Sequence, residues 1–225
     1  MEVTLLGTGI QSNIEAQIDP SRAALRAGLQ PLEWIVAGTQ GGHYALQATT
    51  GSMAALAAAG QIFALRWNDA SKLFLLLRCA VSAVCTAFSS GTGADLELIR
   101  ATSYTANATG GTAITPSTVS QIMRGQAMAS SSFNSSGELR IATTVALGAG
   151  TQTLDTAGVG AAQLGATGAG GGSALMELFN CLAYGQHPLV LANNMGLVIR
   201  EVTAVPASNN FRYSVQLAWL EIPAF

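Results

Sequence analysis

Charged side chains are scarce in this sequence. They make up 10% of its 225 residues, against roughly 25% in an average soluble domain. The cations are scattered without a basic run, and the net charge is −2. Binding to nucleic acid or to acidic lipid requires a basic face, so we expect neither partner. So few charges leave a weakly solvated surface, which indicates that further copies of the chain or a larger assembly cover much of it.

Cysteine is also scarce and occurs three times, as Cys79, Cys85 and Cys181. An odd number without Cys-x-x-Cys spacing excludes a disulfide framework. If one strand carries both Cys79 and Cys85, they lie roughly 20 Å apart, which is too far for them to bridge. Two interpretations stay open: all three are free buried thiols, or one of them forms a disulfide with a neighbouring subunit.

A long uninterrupted apolar run is missing as well. The most apolar stretch, residues 71–88, contains Arg78 near its centre and Lys72 at one end. A membrane-spanning helix needs about 20 apolar residues, and a central arginine opposes insertion. Turn residues flank the stretch, and its composition favours a β-strand. We expect one face of this strand to pack in the core beside the strand of Trp219. That face contains Leu73, Leu75, Leu77, Cys79, Val81, Ala83 and Cys85.

Other stretches alternate apolar and polar residues with period two, which predicts further β-strands. The clearest is near the C-terminus, where every second residue from Phe211 to Trp219 is large and apolar. Residues 60–67 lead through Asn-Asp-Ala-Ser into the apolar stretch and predict a hairpin. Residues 94–106, 137–147 and 187–202 predict more strands, and an Asn-Asn-Met-Gly turn divides the last of these.

Helical signals are few. Asp19 and Pro20 are suited to begin a helix over residues 19–29, and residues 117–128 and 172–185 have helical character. Residues 148–173 predict a long glycine-rich loop. Many short strands without alternating helices predict an all-β fold. We expect an antiparallel β-sandwich or jelly roll with one to three short helices and long Gly-, Ser- and Thr-rich loops. Residues 1–18 are expected to form an N-terminal arm, and residues 19–225 a single domain.

Motifs of the common enzyme classes do not occur in the sequence. The glycine-rich residues 165–175 lack Gly-Lys-Ser/Thr, and no GxGxxG or GxSxG is present. His43 and His187 are far apart, and neither belongs to an HExxH motif. Asp95 and Glu97 would lie about 7 Å apart on one strand face, close enough for acid–base chemistry, but an exposed polar face explains them equally well. We therefore predict no catalytic residue, no cofactor, no metal site and no enzymatic activity.

Several segments resemble, in order, a set of tailed-bacteriophage virion proteins. The resembling segments are residues 19–34, 41–56, 63–78, 185–201 and 213–222. Their recurring features are an Arg-Trp-x-Asp turn, a His-Pro before a strand, and a Trp-x-Glu ending. In this sequence the features fall on Arg66, Trp67, Asp69, His187, Pro188, Trp219 and Glu221. Asn194-Met195-Gly196 departs from the pattern, because an acidic residue would be expected at its centre.

The resemblance implies a head or tail component of the virion, assembled in the host cytoplasm. Within that class it favours a capsid cement (decoration) protein, often a homotrimer, that binds the major capsid protein on the outer surface of the shell. A second interpretation is a tail-side fibre or receptor-binding module for host glycan, for which Trp34, Tyr44 and Tyr104 would have to be exposed. A third is a hydrolase that acts through Asp95 and Glu97. The lack of a signal peptide at the start of the sequence agrees with a cytoplasmic origin.

Overall fold

The structure is a computed structural model, and it describes residues 17–19, 24–26, 42–89, 93–114, 122–123, 131–133, 137–164, 175–184 and 187–224. Its strands are β1 Gln17–Asp19, β2 Ala24–Arg26, β3 Gly42–Thr49, β4 Met53–Ala54, β5 Gln61–Trp67, β6 Lys72–Ala87, β7 Ala94–Ala106, β8 Thr112–Ala113, β9 Ile122–Met123, β10 Leu139–Ile141, β11 Thr151–Leu164, β12 Met176–Asn180, β13 Leu189–Leu191, β14 Met195–Glu201 and β15 Asn210–Pro223. A short helix, α1, covers Cys181–Tyr184. The predicted all-β class is confirmed.

Two antiparallel sheets form a sandwich. The first sheet has the strand order β11-β7-β14-β5-β10-β8. The second has the order β12-β6-β15-β3-β9, with β13 also paired to β6 and β4 to β15. β1 and β2 pair separately with each other. Apolar side chains from both sheets form one continuous core, which is how a sheet with one apolar face hides it from water.

The last strand behaves as its alternation predicts. Phe211, Tyr213, Val215, Leu217 and Trp219 are all buried, and the residues between them are half-buried or exposed. β15 pairs with β6 along nearly its whole length and with β3 on its other side. Because β15 is the central strand of the second sheet, Phe211 near its start and Trp219 near its end both lie inside the core.

A bulge in β6 makes the predicted core face wrong for its first half. Ala218 pairs with Arg78, but Trp219 pairs with Leu76, so Leu77 is an extra residue. One inserted residue reverses the direction of every side chain before it. The core therefore receives Phe74 and Leu76, whereas Leu77 packs on the outer side. From Cys79 onward the predicted face is correct: Cys79, Val81, Ala83 and Cys85 are buried in the core.

The predicted hairpin between residues 60–67 and residue 71 onward is wrong. β5 belongs to the first sheet and β6 to the second, so the Asn-Asp-Ala-Ser turn crosses the sandwich. The reason lies in the inner faces of the two strands. β5 pairs with β14 and β10, whereas β6 pairs with β15. The apolar faces of β5 and β6 therefore meet across the core, where the Trp67 and Phe74 ring centroids lie 5.7 Å apart.

Two further predictions are corrected. Part of the expected loop over residues 148–173 is the long strand β11, and part of the expected helix over 172–185 is β12, followed by the four-residue α1. Gly160 shows why glycine occurs inside β11. A methyl group there would lie 1.8 Å from the Leu178 carbonyl oxygen of β12, so only glycine permits this close approach.

The remaining helix predictions concern residues of which the structure describes a part. Ala24–Arg26 and Ile122–Met123 are strands instead of helix, because the first pairs with β1 and the second with β3. The other residues of these two segments lie outside the described residues. So does most of the predicted arm, residues 1–18, of which only the last two belong to a described strand, β1.

Candidate functional site

Five of the seven residues that carry the resemblance gather at one end of the sandwich. Trp67 of β5 and Trp219 of β15 belong to an aromatic cluster that joins the two sheets. Phe74 and Trp219 are stacked with centroids 5.8 Å apart, and Phe133 meets Trp67 edge-on at 5.1 Å. Tyr44 stacks on the other side of Trp219 at 5.6 Å. We call Tyr44, Trp67, Phe74, Phe133 and Trp219 the aromatic cluster.

Glu221 is buried beside the aromatic cluster, and hydrogen bonds satisfy its carboxylate. Oε1 accepts from the Ser131 hydroxyl at 2.5 Å and from the Trp219 indole at 3.2 Å. Oε2 accepts from the Ser132 backbone N–H at 2.9 Å and lies 3.8 Å from the Lys72 ammonium. A buried carboxylate is costly unless hydrogen bonds and an opposite charge compensate for the loss of water. The Trp-x-Glu ending therefore has a structural reason, because the Trp219 indole N–H donates to the Glu221 carboxylate.

Asp69 holds the turn that crosses between the sheets. Its Oδ1 accepts from the Ser71 backbone N–H at 2.8 Å and from the Ser71 hydroxyl at 2.7 Å. Burial opposes ionisation of this carboxyl, but hydrogen bonds from Ser71 and Ser132 and the charge of Lys72 outweigh it and lower its pKa. The turn is thus fixed by an ionised aspartate and is linked through Ser132 to the surroundings of Glu221.

Arg66 donates hydrogen bonds to four acceptors. Its Nε donates to the Tyr104 carbonyl at 2.7 Å and its Nη1 to Asn107 Oδ1 at 3.1 Å. Its Nη2 donates to Asn68 Oδ1 and to Asn194 Oδ1, both at 2.9 Å. Asn194 has a positive φ of 59°, a conformation that asparagine tolerates better than most residues. Arg66 therefore fixes the turn before β14 as well as the end of β7.

Replacing Arg66 with lysine is expected to lower the free energy of unfolding by about 2 kcal/mol. A lysine ammonium keeps the charge but cannot reach acceptors spread around a planar guanidinium. Urea unfolding followed by intrinsic fluorescence measures the change. The matched control is Arg212→Lys on β15, since Arg212 is exposed and exposed substitutions usually change stability by less than about 0.5 kcal/mol. Equal effects of the two variants would contradict the assigned role of Arg66.

His187 and Pro188 lie elsewhere on the surface. His187 is exposed and Pro188 half-buried, just before β13. β13 pairs with β6 opposite the side on which β15 pairs. Within the described residues, no hydrogen bond or ring contact joins these two to the aromatic cluster. They are therefore separate from the other five motif residues.

Asp95 and Glu97 have different contacts in the structure: the Glu97 carboxylate is ion-paired, whereas Asp95 contributes a backbone hydrogen bond. The Glu97 carboxylate forms an ion pair with the Arg200 guanidinium at 2.5 Å. The backbone N–H of Asp95 donates to Glu201, so this segment is fixed from both sides. Among the described residues no group of three His, Cys, Asp or Glu could hold a metal ion.

Two of the three aromatic residues considered for glycan stacking are buried. Tyr44 is 1% exposed and Tyr104 is 0% exposed, so neither has the exposure that the glycan-binding interpretation requires. Tyr44 packs in the aromatic cluster, and Tyr104 lies against the backbone at Gly196. Trp34 lies outside the described residues. Of the aromatic side chains that the structure describes, none is classed as exposed.

The three cysteines are free and buried. Burial raises the pKa of the Cys79 thiol to about 12, and it also raises the pKa of Cys181. Cys79 and Cys85 lie in the main core, whereas Cys181 packs with Leu77 and Leu220 on the outer side of the second sheet. A thiol with a raised pKa and no access to solvent reacts slowly. The disulfide to another subunit stays a prediction, and it would require the fold to open around the cysteine involved.

Ion pairs neutralise part of the charge within the described residues. Ion pairs join Lys72 to Glu221, Arg78 to Glu177, Arg100 to Asp155 and Arg200 to Glu97. Among the residues whose burial the structure describes, Glu177 and Arg212 are the exposed charged ones, and Glu177 is paired with Arg78. The other exposed residues of the second sheet include the uncharged polar side chains of Gln47, Thr49 and Thr86.

A buried carboxylate, Glu201, has no counterpart in the predictions from sequence. It is 0% exposed at the end of β14. The Asp95 backbone N–H donates to its Oε1, and the Tyr213 hydroxyl donates to its Oε2 at 3.2 Å. Burial raises its pKa to about 7, and the charge of Asp95 adds to the shift. The sequence gives one indication of this residue, an acidic side chain at the end of an apolar strand. Acidic residues are usually exposed, so its burial could not be predicted.

Comparisons with protein families, with curated proteins and with solved structures find no match to this chain. In the described part of the chain, no helix has the length and apolar character needed to cross a membrane.

Proposed function

We propose that this protein is a structural component of a tailed-bacteriophage virion, and that within the virion it is a cement protein on the outer surface of the head shell. Its partners would be further copies of itself, as a homotrimer, and the major capsid protein. The proposal rests first on the resemblance carried by Arg66, Trp67, Asp69, Trp219 and Glu221. Within the fold, these five residues join the two sheets and fix the turns at one end of the sandwich.

The observation that carries the proposal is the scarcity of exposed charge. Surfaces of soluble monomers are usually rich in charged side chains of both signs. Here Glu177 and Arg212 are the exposed charged residues among those whose burial the structure describes, and Glu177 is paired with Arg78. Such a surface can be buried against another protein without the desolvation penalty of leaving a charge unpaired. A protein that spends its existence in contact with neighbours benefits from this property.

The tail-side glycan-binding module is the weaker candidate. Sugar binding commonly uses an exposed aromatic ring with polar groups beside it. Tyr44 and Tyr104 are buried, and the described aromatic side chains offer no exposed ring for this purpose. A hydrolase has less support still, because Glu97 is held by Arg200.

Position and copy number in the particle test the proposed function. Cryo-electron microscopy of virions from the phage that encodes the chain should show it over the whole shell. Quantitative mass spectrometry should find it in amounts comparable to the major capsid protein. A few copies confined to the tail would favour the fibre module, and binding on a glycan array would support that alternative. Absence of the chain from purified virions would refute both.

We predict that binding of the protein to shells that lack it depends only weakly on salt. Between about 50 and 500 mM NaCl the dissociation constant should change by less than about threefold, because salt screens exposed charges and few charged side chains are exposed. Sedimentation of shells with labelled protein measures this. Arg212→Gln, which removes the exposed cation, should bind equally well. A steep loss of binding with salt would show that charge holds the complex together.

A further inference from the structure

Glu201 is connected to an exposed loop through its own backbone. The Glu201 carbonyl accepts from the Ala59 N–H at 2.8 Å, and the Glu201 N–H donates to the Gly60 carbonyl at 2.9 Å. We call residues 54–60 the alanine loop, because it contains Ala54, Ala55, Ala57, Ala58 and Ala59, all of them exposed. The same residue thus presents a buried carboxyl to the core and holds the loop with its main chain.

The alanine loop is held in an unfavourable backbone conformation. Ala55 and Ala59 have positive φ angles of 51° and 62°, a region in which residues with a Cβ are uncommon. A conformation of this kind persists only where surrounding contacts impose it. The contacts here are the two bonds to Glu201, the Gly60 N–H to the Ala57 carbonyl at 2.9 Å, and the Val205 N–H to the Leu56 carbonyl at 2.8 Å. The loop is therefore sensitive to any change at the end of β14.

Burial and charge around the carboxyl group favour its neutral form. Burial has the largest effect, and Asp95 of β7 adds a second negative charge, whereas the hydrogen bonds from the Asp95 N–H and the Tyr213 hydroxyl of β15 oppose them only in part. Cys85 of β6 adds to the acidic groups around Tyr213. Arg200, the nearest residue in sequence with positive charge, is paired to Glu97. Among the described residues no cation contacts Glu201, so ionisation places an uncompensated charge inside the protein.

We propose that Glu201 is a proton-dependent switch for the alanine loop, which stays closed while the carboxyl is neutral and opens more often once it is ionised. The direction follows from linkage. The carboxyl has a pKa of about 7 in the closed state, and in an open state that admits water its pKa would return toward the ordinary value of 4.5. The closed state therefore keeps the proton more readily. Closure of the loop is therefore fully favoured below pH 4.5 and is weakened as the pH rises through about 7.

Amide hydrogen exchange tests the proposal on the purified protein, under conditions in which exchange reports the opening equilibrium. Protection of the Ala59, Glu201 and Val202 amides, corrected for intrinsic rates, should fall on the order of 30-fold between pH 5.5 and 8.5. The Asn194 and Tyr104 amides, which donate to Trp67 and Asn194 at the opposite end, should change much less. An equal change at both ends, or no change, would overturn the proposal.

Two variants tie the effect to this carboxyl. Glu201→Gln should abolish the pH dependence, because its amide can accept from Asp95 and donate to Tyr213 without titrating. The matched control is Glu97→Gln on the same sheet, which should keep it. If Glu201→Gln does not fold, Tyr213→Phe is the alternative variant. It removes the hydroxyl donor, which raises the pKa of Glu201. The midpoint of the pH-dependent change in protection should therefore move to higher pH. A wild-type pH profile in Glu201→Gln, or an unmoved midpoint in Tyr213→Phe, would contradict the switch.

Discussion

Replacing Trp219 with alanine is expected to lower the free energy of unfolding by about 4 kcal/mol. Loss of a buried large aromatic side chain costs about 3–5 kcal/mol, since the surrounding residues close the cavity only in part. Trp219 is 0% exposed and contacts rings from β3, from β6 and from Phe133. Its indole N–H also donates to Glu221, so the variant leaves a buried carboxylate with one donor fewer.

Chemical unfolding monitored by circular dichroism measures this loss, and Trp219→Phe separates its two causes. Phenylalanine keeps most of the ring contact and removes the donor, so we expect a loss of about 1–2 kcal/mol. The control is Phe179→Ala, because Phe179 is half-buried and outside the aromatic cluster. Its effect should be clearly smaller than that of Trp219→Ala. If Trp219→Ala unfolds no more easily than Phe179→Ala, the aromatic cluster does not hold the sheets together.

Replacing Lys72 with methionine is expected to lower the free energy of unfolding by about 3 kcal/mol. Methionine keeps the apolar stem and removes the ammonium, which leaves the Glu221 carboxylate buried without a cation. Removal of one partner from a buried pair typically costs about 3–5 kcal/mol, and the side chain of Glu221 is 0% exposed. Because 17% of the Lys72 side chain is exposed, we expect a loss of stability at the lower end of this range.

A double-mutant cycle identifies the charge as the cause. Glu221→Gln alone should cost about 2 kcal/mol, because three donors from Ser131, Ser132 and Trp219 surround the carboxylate and an amide can accept only at its oxygen. Combining Lys72→Met with Glu221→Gln should cost less than the sum of the two, by about 2 kcal/mol. Strict additivity would show that Lys72 and Glu221 do not interact energetically.

The sequence was most informative where a strand is regular and central. In β15, period-two alternation and burial agree at every large residue from Phe211 to Trp219. In β6 the alternation predicts the buried face correctly only from Cys79 onward, because the extra residue, Leu77, reverses the direction of the preceding side chains. No local signal in a run of leucines marks such a bulge. It arises from pairing with β15 and β13, which are distant in sequence.

The misassigned elements have a similar cause. Glycine weakens an isolated strand, so β11 was predicted as a loop, but Gly160 is required there by the approach of β12. The helical spacing of leucines in residues 172–185 is overridden by pairing of β12 with β6. The sequence indicated which residues belong to the candidate site, but not that they lie close together. Trp67 and Trp219 share one cluster because β5 and β15 belong to opposite sheets. Alternation alone does not specify the sheet to which a strand belongs.

The irregular pairing of β11 has a consequence for the behaviour of the protein at high concentration. β11 is the edge strand of the first sheet, and its register against β7 shifts at four places. A straight edge of this length would present evenly spaced N–H and carbonyl groups to which another molecule could add a strand, and so begin aggregation. Proteins commonly prevent this with charged residues at the edge, which this chain has in short supply. The shifted register breaks the even spacing instead, which makes this edge a poorer template for an added strand.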